Sequence, residues 1–179
     1  APTLGRVRKN EIIDEPLANK QLEYFRRAVR GRLSDTSLVR VDEADELWAV
    51  GQHYGLMTPL LDWTYSPYVA LFFAFQKADV TQENENPYRA IYVLDKTFVA
   101  NDELCPDIRV FEPRKDDHGR LVNQAGLFTF SPYDSTIEIT LANTLASEEF
   151  GDDELRNASE DEQPGIIARY ICKIYIKNE

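Results

Sequence analysis

Cysteine and histidine are scarce in this chain. Two cysteines, Cys105 and Cys172, and two histidines, His53 and His118, are all it has, and their spacing matches no zinc motif. That excludes a disulfide scaffold and a zinc module, leaves no metal site to name, and fits a reducing, cytoplasmic setting. Long apolar runs are missing too. The strongest, Val69–Phe75, is far shorter than the ~20 residues a membrane helix needs. The first twenty residues are charged and carry no signal-peptide core. Positive charge is in deficit, with 20 Lys and Arg against 31 Asp and Glu, a net charge of −11. Affinity of the whole surface for nucleic acid or acidic lipid is therefore not expected, although a local basic groove stays open. What is present is 43% apolar residue content over 179 residues, enough for one core. With no repeat and no linker, residues 1–179 read as a single domain.

The charge is uneven. Residues 1–40 hold nine basic residues and five acidic ones, a basic lobe able to focus an anion such as a pyrophosphate, or simply a solvated helix face. Glu148–Gln163 holds eight acids and one arginine, which predicts an exposed loop or a frayed helix.

Pattern and punctuation predict three early helices. Pro16 opens one through Leu17–Val29, and Gly31 stops it. Asp42–Gln52 is a second, with acids in its first turn. Ser66-Pro67 caps a third, Tyr68–Ala78, so apolar all round that deep burial is expected. Strands follow: Ala90–Leu94, Ile108–Phe111 and Gly126–Phe130, with a turn at Asp116–Gly119. Ile137–Leu145 fits strand or helix. Ile166–Ile176 alternates apolar and polar residues and reads as one long strand with a wet face. Helices first and strands later predict an α+β fold, with N-terminal helices packed on a mostly antiparallel sheet.

The stretch from Leu47 to Ala74 is less generic. Gln52, His53, Tyr54, Asp62, Trp63, Thr64 and Ser66 crowd around one loop, between the end of one helix and the start of another. Such anchoring makes a rigid floor for a ligand. Each member also has an ordinary structural role open to it. His53 could close a helix, Asp62 could accept backbone N–H groups, Trp63 could be core, and Thr64 and Ser66 could cap.

Gln52-His53-Tyr54-Gly55, Leu60-Leu61-Asp62-Trp63-Thr64, Ser66-Pro67 and Ala70-Leu71-Phe72-Phe73-Ala74 resemble the FRG domain family, named for a Phe/Tyr-Arg-Gly triplet. Asn123–Thr129 looks like the family's Gln-x-Gly-x-Phe element, and Ala1–Arg6 like the stretch after the triplet. The resemblance implies a single FRG-like domain starting just past the triplet and its strand. Met57 and Pro59 stand where the family usually has Pro and Arg.

A more distant likeness is to mono-ADP-ribosyltransferases, whose Ser-Thr-Ser turn and following helix are similar to Leu61–Ser66 and Val69–Ala74. This implies an ADP-ribosyltransferase-like fold using NAD as substrate. Gln124 would stand where the catalytic Glu is usual. His53 and Thr64 would complete the catalytic set, with Arg6, Gln52, Tyr54, Asp62, Trp63 and Ser66 binding the dinucleotide. The expected activity is that of an effector, toxin or phage-defence domain modifying a macromolecule of unknown identity, with an antitoxin or immunity protein as a conceivable partner. The alternative is a non-catalytic sensor of the same fold that binds a nucleotide or a protein. A hydrolase would need a denser cluster of acids and histidines than Asp62 with His53.

Overall fold

A computed structural model describes residues 2–7, 12–76, 88–113, 126–130, 132–150 and 152–177. The architecture is α+β. Helix α1 (Glu15–Val29) starts where Asp14 accepts from the Leu17 N–H at 2.7 Å, and Pro16 sits in its first turn. It buries Ala18 and Leu22. Its outer side is laced by Glu23 pairing with both Arg26 and Arg27 at 2.9 Å. Gly31 follows at φ 74°, a left-handed position that ends the element. Two short 3-10 turns, Thr36–Val39 and Val41–Glu43, lead into α2 (Ala44–His53), which buries Leu47, Trp48, Ala49 and Gly51.

Strand β1 (Leu60–Thr64) comes next, then α3 (Pro67–Phe75), β2 (Tyr88–Leu94), the short α4 (Lys96–Val99), β3 (Val110–Phe111) and β4 (Gly126–Phe130). Helices α5 (Ile137–Ala146), α6 (Asp153–Asn157) and α7 (Gln163–Ile167) precede β5 (Ile171–Lys177). All strand pairings are antiparallel, and they form two separate sheets: β1-β4-β3, and the ribbon β2-β5.

The three-stranded sheet divides the interior in two. Leu60, Phe128 and Phe130 join Leu4, Ile13, Leu22, Leu47 and Trp48 on the α1/α2 side. Leu61 and Val110 pack on the other side, against Phe98, Ile108, Leu141, Phe150 and Leu155. Alternation along β1 produces this split, since successive side chains leave a strand on opposite faces. Cys105 is fully buried in the second core and burial pushes its thiol pKa up, so it packs as a small apolar residue. Cys172 is half-buried, and both thiols are free. No helix among the described residues is long and apolar enough to cross a membrane.

Three expectations change, and one left open is resolved. Helix α3 is not deeply buried: none of its residues is, and Tyr68 and Phe72 are 80% and 62% exposed. Among the described residues, this apolar nine-residue helix rests mainly beside β1 and β2. The long C-terminal strand is a helix and a strand. Pro164 lies in the first turn of α7, Ile166 goes into the second core, and only Ile171–Lys177 is extended. Periodicity alone does not separate a helical turn from two more strand residues. No single wet face emerges there either, because Lys173, Ile174 and Tyr175 are all exposed. The acidic stretch holds α6 and contributes buried Phe150 and Leu155. The ambiguous segment near residue 140 is helix, capped by Thr136, which accepts from the Ile139 N–H at 3.2 Å. The turn expected at Asp116–Gly119 lies outside the described residues.

The acidic segment is tied down by its own charges. Asp152 accepts from the Tyr170 hydroxyl at 2.6 Å and from the Leu155 N–H at 2.9 Å, and both hold its carboxyl below the ordinary 3.8. Arg169 grips Glu154 with two bonds and holds it below 4.5. Depressed carboxylates stabilise the fold above their unfolded pKa values and lose that contribution as pH falls through the folded ones. The thermal midpoint should therefore be flat above about pH 5 and drop on acidification below about pH 4.5. Glu154→Gln should flatten part of that drop. A midpoint that rises on acidification would contradict the assignment.

Candidate functional site

The site begins at the end of α2. Gly55 has φ 83°, and its N–H donates to the Gln52 carbonyl at 3.0 Å, while the Leu56 N–H reaches back to the Gly51 carbonyl at 2.8 Å. These two bonds form a Schellman motif, in which a left-handed residue reverses the chain and satisfies the last helical carbonyls. Leu56 folds onto Gly51, where a Cβ would stand 2.6 Å from the Leu56 Cδ2 and 3.2 Å from Phe25. The reversal leaves His53 and Tyr54 exposed at the helix end, rings edge to face at 5.1 Å, with Tyr54 63% exposed.

Below this turn lies Thr58, fully buried. Its hydroxyl donates to the Gln52 side-chain carbonyl and accepts from the Leu60 N–H at 3.3 Å. Its N–H donates to the Thr3 hydroxyl at 2.9 Å, and its carbonyl accepts from the Leu4 N–H at 3.0 Å. With its carbonyl held by Thr58, Gln52 points its amide N–H at Asp62 Oδ2, 2.9 Å away. One amide thus links a buried hydroxyl to an exposed carboxylate, each end meeting the partner its chemistry requires. Pro59, next in the chain, is fully buried.

Strand alternation sorts the remaining candidates. Asp62 lies opposite Phe128, and Thr64 opposite Gly126. Directly paired residues share a face, so Asp62 and Thr64 stand on the α1/α2 side, where Gln52 meets Asp62. Trp63 points the other way, and its indole N–H donates to the Thr129 hydroxyl at 2.9 Å. Asp62 and Trp63 therefore do not line one face. Thr64 accepts from the Ser66 N–H at 3.1 Å, and Ser66 accepts from the Val69 N–H at 3.4 Å, so both help to start α3. Arg6 is exposed in the 3-10 turn Gly5–Val7, on the segment that Thr3 and Leu4 tie to Thr58. Gln124 lies outside the described residues. The described chain resumes two positions later at Gly126, the register partner of Thr64.

A further group converges on this end of the sheet. Tyr65 follows β1, Glu112 follows β3, and Lys96 opens α4. The Tyr65 hydroxyl donates to Glu112 Oε1 at 2.6 Å, and the Lys96 ammonium donates to Glu112 and, at 2.7 Å, to Tyr65. Lys96 first and Tyr65 second hold the Glu112 carboxyl below 4.5, and Lys96 is pushed up in turn. No linear signal marks these three, because 31 and 16 positions separate Lys96 from its partners; only strand order brings them together. Among the described residues, no group of three or more His, Cys, Asp or Glu could hold a metal ion.

The FRG domain family profile matches residues 1–83. That span covers the N-terminal tie, α1, α2, the Schellman turn, β1 and α3. Comparison with curated proteins and comparison with solved structures each give no match.

Two substitutions probe the turn. Gly55→Ala meets no atom within 4 Å, so its cost is that of a left-handed alanine, about 1 kcal/mol in urea unfolding. Thr58→Val keeps the volume but leaves the Leu60 N–H without its hydroxyl acceptor, and should cost about 1–3 kcal/mol. A Thr58→Val protein as stable as the parent would show that the hydroxyl does not hold the end of α2 to the start of β1.

Proposed function

Proceeding from the FRG match over residues 1–83, we propose that this domain is an NAD-dependent ADP-ribosyltransferase-like module that modifies a macromolecule. The reaction breaks the bond between ribose C1 and the nicotinamide nitrogen. The bonding electrons leave on that nitrogen, giving neutral nicotinamide. A nucleophile of the acceptor forms a new bond to C1, and its proton passes to a base. An oxocarbenium-like state lies between, so the site must hold the ribose hydroxyls and face the developing cation with negative charge or dipoles.

The observation that carries this reading is the Gln52–Asp62 pair: an exposed carboxylate oriented by an amide that a buried threonine holds in place. Asp62 with Gln52 would bind ribose hydroxyls. Tyr54, exposed at the turn, is better placed than Trp63 to stack on nicotinamide, since the Trp63 indole is engaged with Thr129. His53, beside it, would take a phosphate or act as the base. Thr64 and Ser66 contribute by fixing the start of α3, Arg6 would meet the pyrophosphate, and Gln124 would orient the sugar from the segment leading into β4. Glu112, held by Lys96 and Tyr65, adds a carboxylate at the same sheet end.

A second reading has its own observation. Pro59, buried where the family usually has arginine, removes a cation from the loop and favours a sensor that binds a nucleotide without turning it over.

Incubating the protein with NAD separates the two. Nicotinamide release, reduced at least about tenfold by Asp62→Asn with the melting temperature within a few degrees of the parent, supports the transferase. A thermal shift with NAD and no release supports the sensor. Neither release nor shift would remove NAD from both readings.

A further inference from the structure

The β2-β5 ribbon carries a surface that the bend does not use. Its register pairs Tyr88 with Lys177, Ala90 with Tyr175 and Tyr92 with Lys173. Paired residues share a face and alternate residues along each strand lie on the same side. One face of the ribbon therefore displays Tyr88, Tyr92, Tyr175, Lys173 and Lys177 together. The tyrosines are 47%, 44% and 63% exposed, and both lysines are exposed. The Lys173 ammonium lies 5.3 Å from the centre of the Tyr92 ring and 4.9 Å from that of Tyr175. Tyr88 and Tyr175 meet edge to face at 6.4 Å. Neither strand contains an acidic residue, in a chain with 31 of them.

The arrangement is selective. Three aromatic rings staggered along a ribbon advance by two residues, about 7 Å, per step. That is about twice the 3.4 Å separation of stacked bases; because Tyr88 and Tyr175 meet edge to face, a base would stack on an outward ring face rather than between two rings. The two lysines supply positive charge between and beside the rings, as a phosphate chain running along them would require. A duplex offers no free base faces, whereas an unpaired strand does. The net charge of −11 opposes any polyanion at long range, so attraction depends on this one patch and should be modest and sensitive to salt.

We propose that the Tyr88–Tyr92–Tyr175 face, with Lys173 and Lys177, is a stacking platform for single-stranded nucleic acid. The site is independent of the NAD reading: it lies on the other sheet and shares no residue with the bend.

Fluorescence anisotropy with the full chain tests it, using labelled ten-nucleotide oligo-dT, the corresponding oligo-U, and a hairpin duplex. Single strands should bind, with the duplex at least about tenfold weaker. The DNA and RNA arms identify which strand is preferred, and a preference for either supports the site. Two lysine–phosphate contacts give a slope of log K against log salt of about −1.4, and Lys173→Gln should reduce it by about 0.7. Tyr92→Ala and Tyr175→Ala should each weaken binding about fivefold or more, while Tyr92→Phe and Tyr175→Phe retain it, which separates lost stacking from lost folding. No binding of either oligonucleotide at 50 mM salt, equal binding of the duplex, alanine variants that bind like the parent, or a proline-rich peptide occupying this face in place of the oligonucleotides would each overturn the proposal.

Discussion

A single buried threonine decides how three parts of this chain meet. Through its hydroxyl Thr58 accepts the N–H that starts β1 and holds the glutamine that ends α2; through its backbone it donates to the Thr3 hydroxyl and accepts from the Leu4 N–H of the N-terminal segment. A buried polar group costs several kcal/mol unless its partners are in place, so the three segments settle together. The Schellman turn at Gly55 delivers the chain to that point at the correct angle. Everything that makes the bend a candidate site follows. Gln52 can orient Asp62 only because its carbonyl is already committed to Thr58, and Asp62, on the same strand face as Leu60 but nearer the strand end, stays at the surface.

The same alternation limits how the bend can work. A pocket wall built from Asp62 and Trp63 side by side is excluded by a period of two, and the Trp63 indole braces the sheet from its other face through Thr129. Rings are exposed instead at the end of α2, where the chain reversal leaves Tyr54 and His53 in solvent. Ser66 and Thr64 act as the start signal of α3, which makes them conservative in a structural sense even if a ligand also touches them. Glu112 enters from a different strand. Its position beside Tyr65 shows that the sheet end gathers charge from β1, β3 and α4 at once.

Apolar surface is distributed unusually. Helix α3 keeps Tyr68, Phe72, Phe73 and Phe75 exposed, and the neighbouring ribbon exposes Val93 and Ile174 as well as its tyrosines. The two cores, by contrast, are closed around Leu47, Leu60 and Phe128 on one side and Leu141, Phe150 and Leu155 on the other. The exposed apolar atoms therefore collect around α3 and the ribbon, where the domain meets its surroundings with rings and aliphatic side chains. The acidic charge concentrates elsewhere, in the segment pinned by Tyr170 and Arg169.

Local chemistry alone determined the early helices, because their boundaries are written in caps. Pro16 and Ser66-Pro67 open α1 and α3 and Gly31 closes α1 as the sequence signals, whereas the left-handed turn at Gly55 that closes α2 appears only in the structure. Ala90–Leu94, most of β2, and Gly126–Phe130 were legible as short apolar runs. The residues of the bend were legible as a crowd of polar groups too dense for plain packing. Their directions were not, since which face a strand residue takes depends on its partner strand. The split between Asp62 and Trp63 therefore became visible only with β4 in place. The same reason hid the Tyr65–Lys96–Glu112 cluster and the tyrosine face of the ribbon, whose members are distant in sequence and adjacent only by register. It also hid the exposure of α3: hydrophobicity states what a helix would lose by facing water, but only the arrangement of the other elements decides whether anything is there to cover it.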